Sequence, residues 1–232
     1  TEMVVLGRRD LPTRSSVLGQ IARSNEPRMV QYLVGMAGAG TATEGADGGL
    51  SPDQQAFLAR KRVERAWRGL GLEEAYVASF SRQTVVYKGM LTVDQLGVYF
   101  EDLGAADFEA HVAMVHSRFS TNTTPRWSLA QPFRGLCHNG EINTIQGNRQ
   151  WMQARSSTFG DSPFGEALAE VLPVLSPGVS DSASLDEAYD FLLQTGRVPA
   201  HAMRMLIPEA WEHNGAMPPE VRAFYDYHSC LM

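Results

Sequence analysis

Apolar alternation dominates the first part of the chain, and helical spacing takes over beyond Asn139-Gly140. This order constrains the fold more than any other feature, because strands followed by helices build α+β layers, whereas alternating βαβ units would interleave them. "VVLGRRDLPTRSSVLGQIARSNEPRMVQYLVGM" reads as strand, turn, helix, strand. "EAYVASFSRQTVVYKGMLT" reads as a strand pair with a polar turn around Ser81-Arg82-Gln83. "HVAMVHSRF" is a further strand pattern, which puts Met114, His116 and Arg118 on one side, and "FRGLCHNG" is another, closing at Asn139-Gly140.

Punctuation marks the rest. Residues 37–50 are mainly Gly, Ala and Thr, which predicts a mobile loop. Ser51 as N-cap, Pro52 at the first helical position and Gln54 completing a capping box then predict a helix start. Ala59, Val63, Ala66, Trp67 and Leu70 give that helix an apolar face, and Arg60, Lys61, Arg62, Arg65 and Arg68 read as its solvated face rather than an anion-binding stripe. Later helices are expected after Ser162-Pro163 as far as Pro173, from a Ser184 cap to a Gly196 stop, and after Pro219. "MLIPEAW" is apolar and closed by Pro208.

Composition excludes several functions. With 232 residues and 44% hydrophobic content the chain can bury a real core. A formal net charge of -6 argues against a nucleic-acid surface. No apolar run approaches the roughly 20 residues that span a bilayer, and the first residues lack a secretory signal pattern. The two cysteines, Cys137 and Cys230, make at most one disulfide, which predicts a cytoplasmic protein rather than a secreted scaffold. The histidines are scattered without HExxH or CxxC, so no metal site is expected.

Three positions carry the chemistry. A strand-borne arginine among apolar neighbours, Arg118, needs an anion. Its planar fork suits a ligand carboxylate, and one of the chain's own acids is the alternative. Asn139-Gly140 fits a type I′ hairpin turn and also an oxyanion hole, since a tight turn can aim both the Asn amide and the Gly N–H at one oxygen. Asp181 in "PGVSDSASLDEAY" fits either a capping role or a carboxylate for a ligand ammonium. Cys137 beside His138 does not make a nucleophile pair, because neighbouring strand residues point to opposite faces; a buried structural thiol fits Cys137 better. An N-terminal Thr1 can act as a nucleophile, but a truncation boundary explains that residue more simply.

Taken in order, "HSRFSTNTTPRWSLAQPFRGLCHNGEINTIQGNRQWMQAR", "VVYKGMLT", "VSDSASLDEAYDFLL", "MLIPEAW" and "VRAFYDYHSCLM" resemble the glutaminase domain of glutamate synthase large subunits. These are class II glutamine amidotransferases of the N-terminal-nucleophile hydrolase group. The resemblance covers nearly the whole chain and implies an αββα sandwich, here incomplete at both ends. It implies that Arg118 binds the α-carboxylate of L-glutamine, that Thr121 lines the same pocket, that Asn139 and Gly140 form the oxyanion hole, and that Asp181 takes the α-amino group. A zwitterionic amino acid needs a cation and an anion on opposite sides of its α-carbon, and Arg118 and Asp181 meet that need.

The resemblance further implies glutamine hydrolysis to glutamate and ammonia, with transfer to 2-oxoglutarate by synthase domains of the same polypeptide. FMN and an iron–sulfur cluster are implied for those other parts, with a small electron-donating subunit as a partner and NADPH, NADH or ferredoxin as donor. The family uses an N-terminal Cys as nucleophile. Neither Cys137 nor Cys230 matches it, so these 232 residues alone are expected to be inactive on glutamine and prone to self-association. Two other readings stand beside this one: a glutamine-binding module without catalysis, and a class II amidotransferase that serves another acceptor.

Overall fold

The computed structural model describes residues 3–36, 49–119, 124–138 and 140–229. The chain divides into two compact units, Thr1–Asn139 and Gly140–Met232.

The first unit opens with strand β1 (Met3–Asp10), helix α1 (Gln20–Ser24) and strand β2 (Val30–Met36), the expected strand, turn, helix, strand order. β1 and β2 pair antiparallel from Met3↔Met36 to Asp10↔Val30, with a bulge between Val5 and Gly7. Helix α2 (Pro52–Gly69) starts as its sequence predicts: Ser51 Oγ accepts the Gln54 N–H at 3.3 Å, and Gln54 Oε1 accepts the Ser51 N–H at 2.8 Å. Its burial differs from the expected face. Val63 and Leu70 are exposed, while Ala56, Phe57 and Leu58 are buried together with Arg60 and Lys61. Only the N-terminal half of the helix is covered, so an apolar stripe drawn along its whole length overshoots. The two cations are buried rather than solvated, with the Phe57 ring 5.1 Å from the Arg60 guanidinium and 5.9 Å from the Lys61 ammonium, and Arg60 pairs with Glu64 at 3.0 Å.

The core of this unit gathers around helix α3 (Val93–Tyr99). Leu18, Tyr99, Phe100 and Trp127 are buried together, with Leu11, Val17, Met29, Tyr76, Tyr87 and Leu96 packed against them. Tyr99 meets Phe100 edge-on at 4.7 Å, and the Trp127 Nε1–H donates to the Ala22 carbonyl at 3.1 Å. Two acids satisfy the buried phenols. Glu26 accepts from Tyr99 at 2.6 Å and from Ser15 at 2.8 Å, and Asp102 accepts from Tyr87 at 2.7 Å while pairing with Arg9. Burial first, then the hydrogen bond to Asp102, pushes the Tyr87 phenol up to about 12. Burial works against the Asp102 charge, yet Tyr87 and Arg9 hold its carboxyl below the usual carboxylate value.

The remaining strand expectations meet a different outcome. Among the described residues, 74–92, 111–119 and 133–138 form no ladder; apart from β1 and β2 there is only an isolated bridge between Thr13 and Phe100. Side chains take the place of a neighbouring strand. Ser79 Oγ accepts the Val86 N–H, and Ser81 Oγ accepts those of Gln83 and Thr84, which does make the expected polar turn. Alternation specifies a face, not a partner, and Val112 and Val115 remain exposed. The loop expected over 37–50 falls outside the described residues at 37–48.

The second unit is helical: α4 (Ile145–Arg155), α5 (Leu168–Val171), α6 (Asp181–Gln194), α7 (Pro199–Leu206) and α8 (Pro219–Ser229). α8 lies where Pro219 predicts it, whereas the helix expected from Ser162-Pro163 to Pro173 is reduced to a turn, a 3-10 segment (Gly165–Ala167) and the four-residue α5. The α6 start is corrected. Ser180, not Ser184, is the cap, with its Oγ accepting the Ala183 N–H at 3.1 Å, and Ser184 is buried in the helix. A cap must precede the helix and keep extended backbone, which Ser180 does. Gly196 ends it as expected. At φ +91 it donates to Leu193, while Arg197 donates to Leu192, forming a Schellman motif.

α6 packs on α7 and α7 on α8. In the "MLIPEAW" segment Glu209 accepts from both Arg204 and Tyr225 at 3.0 Å. His201 and His228 join α7 to α8, their Nε2 atoms 3.3 Å apart, with the Phe224 ring against both.

Two outcomes follow from this packing. A Cβ at Gly89 would overlap the Trp127 ring, so Gly89→Ala should destabilise the first unit by about 1–3 kcal/mol in a denaturant melt; an unchanged midpoint contradicts the packing. Burial first, then His201, Arg197 and Arg155, lowers the His228 pKa from its ordinary 6.5. The unfolded chain therefore takes up this proton more readily than the folded one. The stability held above that value is lost as pH falls through the folded pKa. Melting temperature should drop on acidification below about pH 6.5, with a shallower drop in His228→Gln; equal slopes in the two proteins contradict this.

Candidate active site

In the first unit, the polypeptide leading into Asn139 is held by one glutamine. Gln131 is buried, and its Oε1 accepts the His138 N–H at 2.6 Å while its Nε2 donates to the His138 carbonyl. This reciprocal pair does for His138 what a neighbouring strand would do, and so fixes the residue just before the Asn-Gly step. Cys137 is a half-buried free thiol, less enclosed than expected.

Arg118 belongs to the same unit. It is exposed, and its backbone N–H donates to His116 Nδ1 at 3.1 Å. Among the described residues no carboxylate pairs with its guanidinium, which removes the alternative of an ion pair with a described acid. Asn139 and Thr121 lie outside the described residues, as do Thr1 and Cys230.

Gly140 opens the second unit and is half-buried. Two residues on, the Ile142 N–H donates to Asp181 Oδ2 at 3.1 Å. The segment then turns, with Ile145 donating to the Ile142 carbonyl, and enters α4 behind Thr144, whose hydroxyl donates to Asn148 Oδ1 at 2.7 Å. Asp181 is the first residue of α6, where the helix dipole favours a negative charge. The structure therefore brings together two of the residues singled out from sequence: Asp181 anchors the backbone that follows Gly140. Its role as the helix cap falls instead to Ser180.

Sequence reasoning missed Arg149. From α4 its Nε donates to Ser184 Oγ at 3.0 Å and its Nη2 to the Val179 carbonyl at 2.8 Å, with Asp181 Oδ1 at 3.8 Å. An arginine within a helical pattern gives no local sign of partners 30 or more residues away. Gln131 was equally silent.

Within the second unit Asp181 is a carboxylate anchored to the backbone that follows Gly140, and within the first unit Arg118 is an exposed guanidinium with no acid partner among the described residues. The sequence profile "Glutamine amidotransferases class-II" matches residues 1–232. The chain belongs to the class II glutamine amidotransferases.

Among class II relatives it is 44% identical to the glutamate synthase [NADPH] large chain of Bacillus subtilis over 99% of its own length and 15% of that protein's. It is 40% identical to glutamate synthase [NADH] of Schizosaccharomyces pombe, over 99% of this chain and 11% of the relative. Against the chloroplastic ferredoxin-dependent glutamate synthase of Oryza sativa the identity is 41%, over 98% and 14%. The chain thus spans 11–15% of the length of these three relatives, as an amidotransferase domain homologous to part of glutamate synthase large chains. No described helix is long and apolar enough to cross a membrane.

The helix that carries Asp181 depends on its cap. Ser180→Ala should cost about 1 kcal/mol of stability, whereas Ser180→Asp should cost much less. Equal losses in calorimetry would deny the capping role.

Proposed function

We propose that this chain is the glutamine-binding and oxyanion-stabilising part of a glutamate synthase glutaminase. In the full-length enzyme it takes part in hydrolysing L-glutamine to glutamate and ammonia, which passes to 2-oxoglutarate. The observation that carries this reading is the Asp181 carboxylate, anchored to the backbone just after Asn139-Gly140 in a chain that matches the class II family throughout. In this reading Arg118 takes the α-carboxylate through its planar fork, and Thr121 lines that pocket. Asp181 takes the α-ammonium. Asn139 and Gly140 donate to the oxygen of the side-chain amide as it gains charge on attack. Donors fixed beforehand need not reorganise at the moment of reaction, and the bond from Ile142 to Asp181 supports that role for Gly140. Cys137 and Cys230 have no assigned part.

The fold proposed around these residues is the αββα sandwich of the N-terminal-nucleophile hydrolases, with 1–232 lying in a single amidotransferase domain. An iron–sulfur cluster takes four thiolates, and two cysteines do not fit one. We assign that cluster and FMN to the synthase domains of the longer polypeptide, together with any small electron-donating subunit. A cytoplasmic setting suits a chain with so few cysteines.

In the full-length protein, Arg118→Ala should raise the glutamine KM by about tenfold to a hundredfold. Arg118→Lys should restore little of it, because a point charge does not replace a fork. Asn139→Ala should instead lower kcat by about a hundredfold to a thousandfold with KM nearly unchanged. Glutaminase kinetics that show the reverse split, or no effect from Arg118→Ala, would overturn the proposal.

A further inference from the structure

We infer that Arg149 is a positioning residue that sets the α-ammonium site and couples it to the oxyanion segment. This rests on the reading of Asp181 given above. The Asp181 carboxylate is shared between two tasks. Its Oδ2 accepts the Ile142 N–H at 3.1 Å and so anchors the segment that follows Gly140. Its Oδ1 faces the Arg149 Nη2 at 3.8 Å, close enough for attraction and too far for a hydrogen bond.

That distance is the informative feature. Two of the guanidinium's N–H groups are committed elsewhere, one on Nε to Ser184 Oγ at 3.0 Å and one on Nη2 to the Val179 carbonyl at 2.8 Å. Ser184 is buried inside α6, and Val179 immediately precedes the Ser180 cap. Arg149 is therefore locked to the start of α6 by two bonds that bypass Asp181. A bidentate bridge would use up the carboxylate and leave nothing for a ligand. Here the guanidinium lies beside Oδ1 without hydrogen-bonding to it, so Oδ1 retains lone pairs for an incoming ammonium.

The connection also closes on itself. Arg149 lies in α4, which follows the oxyanion segment directly, so the path runs from Ile142 to Asp181, past Arg149, and back through the α4 backbone to Ile145 and Ile142. Occupation of Asp181 by the right amino acid and placement of the Gly140 segment are thereby mechanically linked. A purely structural clamp would lack this link to ligand choice.

The test uses the full-length protein and the ratio of its affinities for L-glutamine and for glutaramate, the same molecule without its α-amino group. Calorimetry reads both. Arg149→Ala should lower the preference for L-glutamine by about tenfold, and Ser184→Ala and Arg149→Lys should each lower it less. In an Asp181→Asn background, Arg149→Ala should lower it no further. If the Arg149 variants weaken both ligands equally, the residue is only structural and the inference fails. A raised preference also overturns it, since the guanidinium would then be repelling the ammonium. Should Arg149→Ala not fold, Ser184→Ala and Arg149→Lys carry the same comparison. Asp181→Asn separates the two claims. If it leaves the preference intact, the reading of Asp181 falls; if it abolishes the preference while Arg149 variants do not, only the present inference falls.

Discussion

The first two turns of α6 are polar and buried at once, and the second unit is organised around that conflict. Ser180, Ser182, Ser184, Asp186 and Glu187 all lie inside. Buried polar groups without partners are costly, so neighbouring segments must come to them. Ser180 caps the helix, Glu187 takes both the N–H and the hydroxyl of Ser176, Arg149 reaches Ser184, and Ile142 reaches Asp181. The same hydrogen bonds that make this burial tolerable bring the backbone after Gly140 to the helix start.

The first unit solves a similar problem with fewer acids. Glu26 and Asp102 each accept a tyrosine hydroxyl at the edge of the aromatic core, and burial pushes those phenols further from ionisation. Gln131 acts on the main chain instead and holds His138 from both sides. Side-chain to main-chain bonds of this kind let segments with strand-like composition settle without a ladder.

How much of this was legible in the sequence depends on the range of the interaction. Local signals were clear. The Ser51-Pro52-Gln54 start of α2, the Gly196 stop of α6 and the turn at Ser81 all rest on residues within a few positions of one another. Asp181, Arg118 and the Asn139-Gly140 step were singled out by their chemistry and the family resemblance, and of these the structure gives Asp181 a partner in the Ile142 N–H. Signals that need a partner failed. The alternation at 111–119 gave no neighbouring strand, the basic residues Arg60 and Lys61 gave no hint that Phe57 would cover them, and Ser184 read as a cap because its spacing to Glu187 mimics one. Arg149 acts on residues 30 or more positions away and leaves no mark in spacing, and Gln131 holds His138 seven positions on without a recognised local motif.

The function proposed above requires that one amino acid be held by opposite charges with its side-chain amide facing N–H donors. The most direct measurement is a crystal structure of the full-length protein with L-glutamate bound. The account predicts the ligand's α-carboxylate on the Arg118 fork, its α-ammonium on Asp181 and its side-chain carboxylate against Asn139 and the Gly140 N–H. A structure in which Arg118 and Asp181 contact different molecules, or in which the Gly140 N–H points away from the ligand, would contradict it.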